Sequence, residues 1–531
     1  MSRIWNRSGF RYTVLGLLLL GLFLWGLHYA FVRSGQVRWQ RIEAKFKADG
    51  ESLDFFSLYP PPIPEDENFC AIEPLRGIRI PDGTSPEAVE AKKKREAIAA
   101  ALKAIQAPLT AEEKNPPLAS WTQFPDPFMG KADDADEALT AIRKAGTLLP
   151  QKGEPSWAAI KVALEQHAPF ILQLSEAAVK RQKAAFLPRL TRETLPKMLV
   201  SIPVPELNSA QTLANLLRFH CLACLRSEND KAALASLRAM LRLAEASDAT
   251  VTVIGQLVAT TIRAQALQVT HVLVSRRRLG EPDLILLQQE WQQQLLLSSH
   301  LRAMRSEITI SIDSINHLES DPAALSALLS TTSASSGKVT ARPQRYSLLM
   351  RMLLQHSKAA ALEFGNEHFL SRLKTNGFRG YHATMNRARN ELSSLRGWTN
   401  IEWRVPQLLQ TSYFLIGEMV SYQENQRLQA LLACALERHF NRHGSYPVRL
   451  EALNGGLRSG ISLQDVNGEP MRYAPIPGGR YRLWSPGPDG KDDGGKFGSE
   501  MVTRGFKSST PYNPNYLGDW VWRYDPAPQA P

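Results

Sequence analysis

Cysteine, catalytic signatures and long apolar runs are all scarce in this chain, and each scarcity excludes something. Four cysteines in 531 residues, Cys70, Cys221, Cys224 and Cys434, are too few for a disulfide scaffold. The pair in FHCLACL has the C-x-x-C spacing, but no second pair completes a zinc site and no strand precedes it. It lies inside a helical pattern, where cysteine behaves as a small hydrophobe. No G-x-S-x-G elbow and no Walker loop occurs. The stretch ERHFNRH places His439 and His443 four apart, a zinc geometry on a helix. Glu437 precedes both, however, and no third ligand is identifiable; a helix end facing water, with basic groups complementing its dipole, accounts for the same residues. His220, His271 and His317 stand alone on helical faces.

Only one run is long and apolar enough to cross hydrocarbon. Tyr12 to Val32, YTVLGLLLLGLFLWGLHYAFV, has no Asp, Glu, Lys or Arg and matches the ~20 residues that a spanning helix needs. Tyr12 at one end and Trp25, Tyr29 and Phe31 at the other suit the two interfaces. The run exceeds the ~7 to 15 residues of a signal-peptide core, and no small-x-small cleavage site follows it, so a retained anchor is expected. Arg3, Arg7 and Arg11 have no acid among them, which places the N-terminus in the cytoplasm. The expectation is a single-pass bacterial inner-membrane protein with its bulk in the periplasm.

The formal net charge of +12 is unevenly placed. Residues 1–50 carry a basic surplus of six and residues 331–404 a surplus of eight, leaving the rest close to neutral. The second block interleaves arginine with aromatics, a pattern that nucleic-acid binders use. Its charges fall at helical spacing beside leucines, as on a solvated face. A surface facing anionic lipid or an acidic partner is preferred there to nucleic acid, and an ordinary charged surface to either.

Periodicity organises the remainder. WQRIEAKFKADG continues the apolar helix and stops near Gly50; YPPPIPEDENF is a stiff strap or spacer. A short charged helix covers Ala88 to Ile105, followed by a proline-rich irregular stretch. LANLLRFHCLACLRSENDKAALASLRAMLRLAEA gives two apolar stripes separated by SEND, an αα-hairpin. No second copy lies in register, so a regular solenoid is not supported. The expected segments are a tail (1–11), an anchor (12–32), a juxtamembrane helix with a Pro-rich region (33–155), a helical domain (156–328), a Ser/Thr-rich linker (329–344), a basic helical region (345–414) and an α+β domain (415–531).

That last segment combines a long helix stopped near Gly444, a hairpin turning at Asn467–Gly468 and at Pro477 to Gly479, and the loop LWSPGPDGKDDGG. Three aspartates on a glycine-rich backbone admit two readings. Asp and Gly favour turns, and they also let oxygen donors converge on a hard cation. The segment scans as an EF-hand loop except that Lys491 occupies a ligand position and no helix precedes it.

The residues of this segment resemble the globular part of the major pseudopilin of bacterial type II secretion. The likeness lies in the helix-to-GSYP passage, in Gly468, Pro470 and Tyr473, in Ser485, Gly487, Asp489 and Gly490, in Gly494 and Gly495, and in Gly518, Asp519 and Trp520. It covers about a fifth of the chain. The resemblance implies structural calcium held by Asp489, Asp492 or Asp493, and Asp519, with Ser485 as a further oxygen donor. Val14 stands where the prepilin peptidase site has glutamate, so the likeness extends to the globular part and not to processing. The whole chain also resembles a group of uncharacterised bacterial anchored proteins.

The sequence therefore predicts a mainly α fold with a C-terminal α+β domain and a small antiparallel sheet. The expected work is binding or assembly with envelope or secretion proteins, in an undefined oligomeric state, without catalysis. The rival class is a membrane-tethered hydrolase with its site in the helical domain.

Overall fold

One helix, α1 (Ser8–Ala48), carries the apolar run and continues without a break into the folded body. The computed structural model describes residues 8–107, 155–321, 343–395, 402–453, 457, 459–487, 490–495 and 519–524. Residues 1–7, most of the proline-rich stretch, the linker up to residue 342, and Asp489 lie outside them. α1 is long and apolar enough to span a membrane, and none of its most apolar window is buried against the protein. Leu18 and Trp25 are 61% and 65% exposed, whereas a core helix of this composition would be covered.

Past Val32 the same helix turns amphipathic and joins the core, where Phe46 is buried. Gly35 lets a neighbouring helix close in, because a Cβ there would stand 2.8 Å from the His356 ring. Glu51, just beyond Gly50, is buried and accepts from Nε and Nη2 of Arg305 at 2.6 and 2.9 Å and from Lys374 Nζ at 3.1 Å. Burial alone would raise this carboxyl, but the bonds and charges of Arg305 and Lys374 outweigh it and hold it below the usual range.

The body is helical, as the periodicity predicts. In chain order it comprises α2 (Pro86–Gln106), α3 (Pro155–Gln166), α4 (Ala168–Lys180), α5 (Pro205–Arg226), α6 (Asp230–Asp248), α7 (Val253–Ser275), α8 (Glu281–Gln292) and α9 (Leu296–Ser320). After residue 342 come α10 (Pro343–Phe364), a π-turn (Gly365–Leu370), α11 (Ser371–Asn376), α12 (Tyr381–Ser394) and α13 (Arg404–His443). Starts and stops follow local chemistry. Ser85 accepts from the Ala88 amide ahead of Pro86, and Asn229 of SEND accepts from Ala232, which makes α5–α6 the expected αα-hairpin. Gly444, in the left-handed region, ends α13.

The C-terminal strands are β1 (Arg472–Ile476), β2 (Arg480–Ser485) and β3 (Trp520–Tyr524), antiparallel in the order β1-β2-β3. The β1–β2 turn uses Gly478 and Gly479 at φ +81° and +68°, where glycine costs least. Period-two alternation sends Tyr481, Leu483 and Ser485 inward, and Trp520 and Trp522 are buried with them.

The sheet shares its core with the helical body. Tyr481, Leu483 and Trp522 belong to one buried cluster with Leu213, Leu237, Leu287 and Leu432, and Trp520 joins Phe46, Ile308 and Phe414 in another. The expected boundary at 414/415 falls inside α13, which has no break there. Gly417 does not interrupt it; its missing side chain lets Tyr381 and Met385 of α12 pack close. The short helix expected after Pro447 is a single 3-10 turn, Leu450–Leu453.

Glu51 gives the fold a pH signature. With a depressed folded pKa, its contribution is present above the unfolded value near 4.5 and is lost as pH falls through the folded one. Glu51→Gln is expected to destabilise by about 3 kcal/mol at pH 7, because it removes a charge from a buried pair. The gap to the parent, measured by denaturant unfolding, should close only below pH 4.5.

Candidate functional site

The acidic loop lies over the outer face of the sheet. Arg472, Arg482 and Trp484 occupy this face, opposite the core-facing Tyr481 and Leu483. Asp492 accepts from the Trp484 indole at 2.9 Å, from the Gly494 amide at 3.0 Å and from Arg472 Nε at 3.1 Å. The indole bond, then the amide and Arg472, hold its carboxyl below the usual range. Arg482 Nη1 donates to the Gly494 carbonyl at 3.1 Å. The sheet's own guanidinium groups thus supply positive charge to the loop.

Asp519, at the entry to β3, is buried and closes the loop from its other end. Its Oδ1 and Oδ2 accept from the Asp493 amide at 3.2 and 3.0 Å, and Oδ2 also accepts from the Gly495 amide at 2.6 Å. Burial pushes its carboxyl up, the two amides pull it down, and the charges of Asp492 and Asp493 push it up again. Asp519 therefore meets the loop through the Asp493 and Gly495 amides, and among the described residues no three carboxylate, histidine or cysteine groups are placed to share a metal ion. Ser485 is turned away: its hydroxyl is buried and donates to Asn425 Oδ1 of α13 at 3.1 Å. Asp489 lies outside the described residues.

Calcium takes six to eight oxygen ligands. Here both Asp519 oxygens and both Asp492 oxygens face N–H donors, the Gly494 carbonyl faces Arg482, and Ser485 points into the core. Asp493 is the carboxylate left. The described donors do not make a calcium shell.

Elsewhere the histidines take packing roles. His439 and His443 lie ring to ring at 4.3 Å, while Glu437 is buried and accepts from Tyr446 at 2.5 Å. His220 bonds Ser236 at 2.9 Å, and Cys221 donates to the Ala233 carbonyl at 3.3 Å. Burial pushes the Cys224 thiol up to about 11 and raises that of Cys221 well above its ordinary value, far from a reactive thiolate.

Sequence reasoning missed the buried charges. Arg238 and Arg242 of α6 both pair with Glu290 of α8; Arg242 also holds Glu245, and Arg263 of α7 pairs with Asp248. A further pair joins Arg79 to Glu206 at 3.2 Å, both buried. Burial pushes the Glu206 carboxyl up to about 7, against the charge of Arg79. Each of these residues sits in a helical or turn context where a charge ordinarily marks a solvated face. No local signal separates them from surface residues.

Searches against protein-family models, curated proteins and solved structures find no match.

Loop closure by Asp519 has a direct test. Asp519→Ala leaves two amides without their acceptor, and charge-assisted bonds contribute about 1.5–3 kcal/mol each, so a loss of roughly 3–6 kcal/mol is expected. Hydrogen exchange should quicken at the Asp493 and Gly495 amides. EGTA should leave the parent's melting temperature in place if these bonds alone hold the loop, and lower it if calcium does.

Proposed function

We propose that the chain is a membrane-anchored binding or assembly protein of the bacterial envelope, with its N-terminus in the cytoplasm and its bulk beyond the inner membrane. Its partners are envelope or secretion proteins. The observation that carries this reading is α1. The bare apolar run and the buried Phe46 belong to one uninterrupted helix, so whatever holds the run in place also holds the body.

The geometry suits display. α10 and α13 climb together: Ser357, in the last third of α10, donates to the Glu402 carbonyl just ahead of α13, and Phe364 meets Phe414 further along. α13 then continues to the sheet, where Asn425 bonds Ser485 and Gln429 bonds the Trp520 carbonyl. At ~1.5 Å per residue, the sheet stands about 30 to 60 Å from the lower end of α13. Arg277 fixes the far edge, donating to Tyr446 and to the Gly479 carbonyl with its guanidinium over the Phe440 ring at 4.2 Å. A rigid stand carrying a small sheet and a charged loop fits a binding role, and the pseudopilin-like residues of that loop suggest a secretion-type partner.

A hydrolase is the second reading, favoured by the raised Glu206 carboxyl. A general base must reach its substrate, and Glu206 is wholly buried beside Arg79.

Fractionation tests the anchor. The full chain should stay with membranes through an alkaline carbonate wash, and a chain lacking residues 1–30 should be soluble with unchanged helical circular dichroism. Recovery of the full chain in the soluble fraction would overturn the proposal. Arg277→Ala should free the sheet edge, quickening proteolysis near Gly478 and Gly479 while leaving membrane retention unchanged.

A further inference from the structure

Most ring nitrogens of the buried histidines have protein partners. His220 meets Ser236, His300 meets both Gln256 and Tyr381, and His356 meets the Phe31 carbonyl. His439 and His443, in the last turns of α13, differ. Neither has a hydrogen-bond or ion-pair partner among the described residues, and their rings lie 4.3 Å apart between centroids at 39°. His439 is half-buried and His443 is exposed. Four positions apart on one helix, they share a face.

Complementing the helix dipole does not account for both rings. Burial, then the charges of His443 and Arg442, hold the His439 imidazole below its usual range, so at neutral pH it offers a lone pair and no charge. Arg442, beside them in the last turn, is drawn to Glu281, which accepts from Nε at 3.0 Å and from Nη2 as well. What remains is a helix end whose carbonyl dipoles carry partial negative charge, with two nitrogen bases set beside it.

Such a pair has the chemistry of a metal clip. Two nitrogens ligating one ion at ~2.0–2.1 Å stand ~3 Å apart at a right angle. Rings already 4.3 Å apart reach that spacing by turning about the Cβ–Cγ bond, a soft torsion in histidine. Among the described residues no third His, Cys, Asp or Glu joins them, so the closed cage of structural zinc is not formed and water completes the shell. Glu437, the nearest carboxylate in sequence, is buried and held by Tyr446. Imidazoles without carboxylates do not suit calcium or magnesium, and among first-row divalent ions copper binds nitrogen sites most tightly.

We infer that His439 and His443 form a two-imidazole site for a divalent transition metal, copper(II) first, at the end of α13. The ion ties the last turn of the helix to the turn before it, just ahead of the reversal at Gly444 that leads to the sheet. This site depends neither on the membrane nor on a partner.

Copper(II) added to the full chain, purified in detergent without a histidine tag, tests the site by pulsed electron paramagnetic resonance, which counts the imidazoles on the ion. The expected result is one ion per chain carrying two imidazoles. It should carry one in His439→Gln and one in His443→Gln, and none in the double variant, with helical circular dichroism unchanged in all three. Two imidazoles in the double variant would put the ion elsewhere and overturn the site. One imidazole or none in the parent would mean an adventitious ion only. Nickel(II) and zinc(II) should displace copper only in excess, and displacement at equal concentration would overturn the choice of metal. The parent alone gives a second reading that no misfolded variant can confuse. One equivalent of copper should raise its melting midpoint, because the ion binds the folded pair and the unfolded chain lacks that geometry. An unchanged midpoint would overturn the clip.

Discussion

The structure depends on the absence of any hinge between the apolar run and the core. A helix without Pro, and without a glycine cap until Gly50, has one axis, and Glu51 pins the turn after it by accepting from Arg305 and Lys374. Many tethered proteins hang from flexible linkers that separate membrane and body energetically. Here the orientation of the apolar run and that of the body form a single degree of freedom. Gly35, Phe46 and Glu51 enforce it successively, through close approach, burial and charge.

The helical body answers its positive charge internally. Arg238, Arg242 and Arg263 are buried and paired with carboxylates from the same or adjacent helices, which sets the register of α6, α7 and α8. Such pairs contribute little net stability compared with apolar replacements, but removing one partner strands the other. The acidic loop repeats this logic at the surface, where Asp492 meets Arg472 and Asp519 meets backbone amides.

Elements set by local chemistry were legible in the sequence. The apolar run, Asn229 between two amphipathic stripes, Gly444, and the turns at Gly468 and Gly478 each carry their own signal. β3 was not legible, because WVWRY pairs with β2 across more than thirty residues and no neighbouring turn announces it. Nor was the continuity of α13, which runs through the expected boundary at 414/415 and whose Gly417 serves the close packing of Tyr381 and Met385. At the loop, the sequence offered Asp492, Asp493 and Asp519 as carboxylates of one site. What could not be read was that N–H donors from Trp484, Arg472 and the loop backbone would face their oxygens, because those donors are positioned by sheet pairing. The burial of Glu206 and Arg242 was hidden for the same reason: a helical charge shows its surroundings only when its neighbours are assembled.

The length of α13 has a mechanical consequence. One end lies beside α10, which packs on α1, and the sheet rests on its second half, about 30 to 60 Å away. A change of ~10° in tilt at the bilayer, the scale on which thickness mismatch acts, would swing the displayed edge sideways by roughly 5 to 10 Å. Were the apolar run seated in a bilayer, lipid composition would become a mechanical input felt at the distal tip, delivered with no rearrangement inside the protein.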